Sequence, residues 1–396
     1  MIFLKTTACG AIFFICAGCA TLNVAKVGDS AYRAEDDEQN IAKEMDKVTE
    51  LLDESGYIYQ NKELEEYVNR LTDSLLSDEI KASGVKISVK ILSDTSLNAV
   101  TYANNRIYLN TGMLAAMDNE AQLAALLSHE MVHAINRHAL KKFRSAVNKS
   151  AFLSVAVMPA AVAGGALGSV FTRMTVLSSV AGYSQQLEYE ADNEGLKMMV
   201  QSGYAAKEAP QLFVHLKEFI QEEEGKEPLF FSSHPHVISR IKNYETIIEK
   251  DYAGHSGTKM DSAEFDRLTN QLVLDNARLC LQSGLFKTGE RNIQKFIGKN
   301  AADPQGYFYR GELFRQRQDH PKQEKVRDKK EDYLTSLEAY NKAIALNVGY
   351  APAYKGKAQV LEKQGVPNEA KENYRKYLEL APGAGDRGYI EQFLNS

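Results

Sequence analysis

The chain has 396 residues, room for two or three domains at roughly 100 to 200 residues each. Its 44% hydrophobic and 25% charged content is that of a globular protein and argues against a disordered, collagen-like or multi-spanning membrane chain. With 47 basic and 52 acidic residues the net charge is −5, so no global positive field gathers nucleic acid, and none is expected as a partner.

Three of the four cysteines, Cys9, Cys16 and Cys19, lie in the first 19 residues, which excludes a disulfide framework. Lys5, the apolar stretch Ala8 to Ala17 and small residues before a cysteine have the layout of a secretory signal. The run Cys16-Ala17-Gly18-Cys19 resembles the bacterial lipobox, with Cys16 in place of the usual Leu. That resemblance implies a signal peptide over 1–18, lipid on Cys19 and membrane attachment through it. Ala20 is not the Asp that holds such proteins in the inner membrane of enteric bacteria, so the periplasmic face of the outer membrane is expected, with a soluble periplasmic form as the alternative. Residues 19–38 are expected to be a polar, acid-rich tether entering a helix around Gln39.

From Gln39 to Leu76 apolar residues recur at spacings of three and four, which predicts two amphipathic helices. Val85 to Leu92 alternates with period two, and Ile107, Tyr108, Leu109 and Asn110 form a second short strand. Asp118-Asn119-Glu120 then supplies capping side chains and early negative charge to a long helix.

That helix carries Ser128-His129-Glu130-Met131-Val132-His133. Histidines four apart are about 40° apart around a helix axis, so both imidazoles reach one ion, while Glu130 is placed to hold a water molecule as catalytic base. A catalytic zinc needs a third protein ligand and an open position. The metzincin pattern is excluded, because residue 139 is Ala where its third His would stand. His138, five positions beyond His133, is turned about 140° away on an ideal helix and reads as a supporting or structural residue. Downstream, Glu188 and Asp192 share a helix face; one can bind the metal while the other orients a ligand histidine. Glu190 faces elsewhere. Between the two halves of the site lies the uncharged run 150–172, long enough for one membrane pass. One pass would put His133 and Glu188 on opposite sides of a membrane, so a broken hairpin near the cleft is expected instead.

The pattern His-Glu-Met-Val-His followed about 55 residues later by Glu-Tyr-Glu-Ala-Asp resembles the minimal gluzincin zinc peptidases of the HtpX, BepA and Oma type, peptidase family M48. The resemblance covers roughly residues 40–250 and extends to Asn98-Ala99, the strand at 107–110, and Ser232-Ser233-His234-Pro235 with Arg240. It implies one Zn2+ per chain held by His129, His133 and Glu188, with Asp192 behind them and Glu130 as base. It also implies that His234 can approach the zinc and block the water position, with Arg240 serving the loop or the oxyanion. Ile107 to Asn110 is the expected edge for an extended substrate.

Near the C-terminus, Tyr354, Ala358, Leu361, Gly365, Ala370, Tyr374, Leu378 and Pro382 stand at the offsets of a tetratricopeptide repeat. The same register fits Tyr307, Gly311, Phe314, Tyr340 and Ile344, with a charged surplus around Asp319 to Asp332, and a further unit fits Ala277, Cys280, Gly284, Ile293 and Phe296. A peptidase followed by repeats resembles the BepA-like branch, from which this chain departs by its lipobox-like start and charged insertion. The expected fold is mainly α: a zincin-like α+β domain with a small sheet over 39–255, then an all-α repeat solenoid over 265–396. The expected function is zinc-dependent hydrolysis of unfolded or misassembled envelope proteins, with a protein partner at the repeats. The rival reading is a chaperone-like assembly scaffold with a mostly closed zinc site.

Overall fold

The computed structural model describes residues 24–145, 182–222, 230, 234–254, 257–319 and 329–395. The signal-like segment, Cys19, the run 150–172 and most of the charged surplus fall outside them. The fold is mainly helical, with one small sheet.

Helices α1 (Asp36–Asp53), α2 (Lys62–Leu75) and the short α3 (Asp78–Ala82) precede strands β1 (Ser88–Leu92), β2 (Ala99–Thr101) and β3 (Arg106–Asn110). The sheet order is β1-β3-β2, with β1 parallel and β2 antiparallel to β3. This corrects one expectation. Ile107 to Asn110 lies on the central strand, paired on both sides, so its backbone groups are already committed and cannot hold a substrate. The open edge on the side of the site belongs to β2, too short to show an alternating pattern.

After α4 (Thr111–Ala116), helix α5 (Glu120–Ile135) carries the paired histidines and is buried along its whole length, the signature of a helix running through the core. Asn119 caps it, its side chain accepting from the Gln122 N–H at 3.0 Å. At the same end Glu120 accepts from the hydroxyls of Tyr67 and Tyr204, both at 2.6 Å, and pairs with Lys259. These partners outweigh burial and hold its carboxyl down at about 2. Around α5 one continuous core gathers Leu64 and Val68 of α2, Ile91 and Leu109 of the sheet, and residues of α7 (Gln185–Gln201) and α8 (Glu208–Glu222).

Helix α6 (His138–Ser145) follows α5 after a break at Arg137, whose φ of 56° is in the left-handed region that ends a helix. The Arg137 side chain is buried and gathers the N-terminal segment: its guanidinium donates to Glu38 at 2.8 and 2.5 Å and to the carbonyls of Ala25 and Arg33 at 3.0 and 3.1 Å. Arg144 pairs with Glu35 and Asp37 in the same way. The stretch expected as a tether is therefore docked from Val24 onward, with Glu35, Asp37 and Glu38 as ion-pair partners of Arg137 and Arg144. Val24 and Val27 are buried, and α1 begins at Asp36.

Past α9 (Val237–Asp251), helices pair in succession: α10 (Ala263–Gln282) with α11 (Phe286–Lys299), α12 (Pro304–Asp319) with α13 (Lys329–Leu346), and α14 (Ala351–Lys363) with α15 (Pro367–Leu380), closed by α16 (Arg387–Asn395). Gly311 and Gly356 allow the tight stacking here: a methyl on either would stand about 2.5 Å from the Tyr340 ring, which fills the space between hairpins. The first pair is not separate from the domain before it. Phe265, Leu268 and Leu272 of α10 and Phe296 of α11 belong to the same core as α5, and Lys295 donates to the Ala115 carbonyl at 3.0 Å at the end of α4. Among the described residues no helix is long and apolar enough to cross a membrane.

Candidate metal centre and active site

Helix α5 delivers His129 and His133 on one face, with Nε2 atoms 3.0 Å apart. Helix α7, capped by Ser184 accepting from the Leu187 N–H, delivers Glu188 to the same point, its oxygens 3.6 Å from His129 Nε2 and 3.7 Å from His133 Nε2. A fourth donor comes from the turn before α9: His234 Nδ1 lies 3.2 Å from His129 Nε2 and 3.1 Å from Glu188 Oε1. All four side chains are buried, and one ligand atom from each lies within 4.8 Å of the others. A tetrahedral zinc with bonds of about 2.0–2.1 Å would set its ligand atoms about 3.3–3.4 Å apart, and the observed separations bracket that value.

Charge points the same way. The acidic side chains of Glu130, Glu188 and Asp192 are buried around one guanidinium, Arg240, an acid-rich balance that favours a divalent cation. Burial, reinforced by the neighbouring His129, His138 and His234, pushes His133 well below the ordinary histidine range, into the neutral form a metal requires. For Glu188, burial favours the neutral acid, but His234 and Arg240 outweigh it and keep the carboxylate ionised. His234 moves up, because Glu188 and Glu130 overcome its burial. The donor set fits zinc.

Supporting residues fix each ligand. Asp192 Oδ1 is 3.0 Å from His129 Nδ1, which leaves Nε2 directed at the metal position. Arg240 holds Asp192 at 2.8 and 2.6 Å, meets Glu188 Oε2 at 2.8 Å and donates to the His234 carbonyl at 3.4 Å. With four of its five N–H groups facing Asp192, Glu188 and the His234 carbonyl, Arg240 serves the carboxylates and the His234 turn. Tyr244 adds a hydroxyl to Asp192 at 2.8 Å, and the Phe213 ring lies 4.5 Å under the guanidinium. His234 is backed by Phe230, stacked at 4.5 Å.

Glu130 is held differently. Thr101 of β2 donates to its Oε2 at 2.6 Å, while Oε1 has no hydrogen-bond partner although buried. One oxygen is fixed and the other is free on the metal side, where His234 Nε2 lies at 3.4 Å. Tyr183 closes the opposite flank, stacked on His133 at 4.0 Å. The motif reading names neither Thr101 nor Tyr183, since neither has a spacing relation to the helix it serves.

Residues 59–248 match peptidase family M48, a span that holds every residue of this centre. The segment is an M48 peptidase domain. Similar proteins include the putative beta-barrel assembly-enhancing protease of Vibrio cholerae, 25% identical over 186 residues, 45% of this chain and 38% of that protein. The mitochondrial metalloendopeptidase OMA1 of Schizosaccharomyces pombe is 28% identical over 181 residues, 45% of this chain and 51% of its own. The metalloprotease LoiP of Escherichia coli is 27% identical over 193 residues, 47% of this chain and 72% of its own. The matched part spans only 38% and 51% of the first two relatives, and α10 to α16 lie beyond the family match.

Proposed function

We propose that this chain is a zinc-dependent endopeptidase of the bacterial envelope that cuts unfolded or misassembled envelope proteins. The observation that carries the reading is the buried group of four donors, His129, His133, Glu188 and His234, beside a buried Glu130 with one anchored and one free oxygen. Zinc held by His129, His133 and Glu188 would polarise the scissile carbonyl and bring a water's pKa to about 7. Glu130 takes the proton of the attacking water on its free oxygen and passes it to the leaving amine, while Thr101 keeps the carboxylate aimed. The open edge of β2 supports an extended substrate by backbone pairing, which selects chains that are not folded.

His234 at the fourth corner supports an autoinhibited resting state, because it stands where the water must bind. The paired helices after α9 are read as tetratricopeptide repeats that dock a protein partner, and Cys19 as the lipidated residue that keeps the enzyme on the periplasmic face of the outer membrane. The occupied fourth corner also favours the rival reading, an assembly scaffold whose zinc site stays closed. Glu130→Gln separates them. It should bind zinc as the wild type does and lose casein cleavage by roughly 10²- to 10⁴-fold; cleavage at the wild-type rate would refute the assigned base.

A further inference from the structure

The two ligand histidines are oriented in unlike ways. His129 has a carboxylate behind it, Asp192. His133 instead has its Nδ1 2.8 Å from Nδ1 of His138, a histidine fully buried at the start of α6. The left-handed Arg137 makes this contact: on a continuous helix His138 would point about 140° away, whereas the break swings it back against His133. Behind His138, its Nε2 has no hydrogen-bond partner and faces Glu190 Oε2 at 3.6 Å. Glu190 is itself fixed, accepting from the Asn136 amide at 2.7 Å and lying 3.4 Å from Lys26 and 3.6 Å from Lys141.

The tautomers follow from this chain of partners. If His133 gives Nε2 to the metal, its Nδ1 carries the proton and donates to His138 Nδ1, which must be the bare nitrogen. The proton of His138 is then on Nε2, aimed at the Glu190 carboxylate. We propose that His138, backed by Glu190, is the positioning residue for ligand His133, doing through an imidazole what Asp192 does directly for His129. The inference rests on the zinc reading above. It gives α6, the N-terminal segment carrying Lys26 and the third residue of Glu188-Tyr-Glu a purpose at the metal that the ligand motif does not contain.

The test is zinc affinity, measured on the metal-free full chain by competition with a chromophoric chelator, beside the cobalt-substituted absorption spectrum. His138→Ala should bind zinc 10- to 100-fold more weakly, the range found when such supporting partners are removed, with an altered cobalt band. His138→Asn places an amide oxygen where Nδ1 stands and should recover most of the affinity; a residue that merely filled space would show no such rescue. Glu190→Gln, at a partly exposed position, should weaken zinc binding by a smaller factor with the fold intact, and it decides the matter should His138→Ala not fold. Wild-type affinity and an unchanged cobalt spectrum in His138→Ala, or in Glu190→Gln where the first variant is lost, would overturn the positioning role while leaving the zinc reading in place. A wild-type chain that takes up no zinc overturns both.

Discussion

Arg240 offers the sharpest test of the electrostatic account. Its guanidinium is fully buried, 2.8 Å from Glu188 and 2.6 Å from Asp192. At an effective dielectric constant near 20, each contact is worth about 6 kcal/mol of gross attraction, most of it offset by desolvating the three ions. Removing one partner of a buried pair leaves the others uncompensated and costs about 3–5 kcal/mol. Arg240→Leu should therefore lower the melting temperature in chelator by roughly 6–20 °C, taking about 2–4 °C per kcal/mol for a domain of this size. Zinc supplies the missing positive charge, so the gap between variant and wild type should narrow clearly when both are zinc-loaded. Scanning calorimetry of the two proteins, with chelator and with zinc, reads both quantities. If the gap is the same in the two conditions, Arg240 acts by packing against Phe213, and the charge argument is wrong. If the chelated variant melts within about 2 °C of the wild type, the pair contributes nothing measurable.

Other consequences follow from neighbouring contacts. His234→Ala vacates the fourth corner; for an open form populated at roughly 0.1–10% in the wild type, peptide hydrolysis should rise about tenfold or more, with weaker zinc affinity. Equal turnover in the two proteins would sink the gate. Thr101→Val keeps the shape of the site but leaves Glu130 Oε2 without its donor, a loss of about 1–3 kcal/mol that should cut kcat roughly 5- to 150-fold at unchanged zinc content; steady-state kinetics with metal analysis would show it, and unchanged kcat would remove Thr101 from the mechanism. The Glu120 carboxyl is held at about 2 in the fold, below its unfolded value near 4.3. A depressed acid contributes stability fully above its unfolded pKa and loses it as pH falls toward the folded one. Urea midpoints should show Glu120→Gln less stable than wild type at pH 6, with the difference shrinking between about pH 4.5 and 2; a constant difference would contradict the assignment.

The parts of this centre that sequence reading reaches are those set by one helix. His129, Glu130 and His133 follow from the helical repeat alone. Glu188 and Asp192 are legible as a pair on one face, but only the resemblance to M48 peptidases distinguishes which of them is the ligand. Thr101 and Tyr183 arrive by tertiary packing and leave no periodic trace. The error over Ile107 to Asn110 has a related cause: alternation identifies a strand but says nothing about its neighbours, and β2 is three residues long. The docked N-terminal segment is misread because acidic residues look alike whether they face water or an arginine, and Arg137 and Arg144 are about a hundred residues away.

Glycine explains how two distant motifs come to face one another. Gly195 lies seven residues after Glu188 and three after Asp192, so at about 100° per residue all three fall on one stripe of α7. A methyl at Gly195 would stand 3.0 Å from the backbone nitrogen of His129 and 3.2 Å from its Cα, tighter than ordinary van der Waals contact. Helix α7 therefore rests on α5 at the first ligand histidine, and the absence of a side chain sets how near the carboxylates come. Metal bonds tolerate about 0.2 Å of misplacement, less than the few tenths of an ångström by which an added methyl would drive these helices apart. The geometry of the donor group thus depends on a residue outside it, and the stretch Glu188 to Gly195 acts as one unit: a donor carboxylate, the acid behind His129 and the spacer that brings both to the histidines.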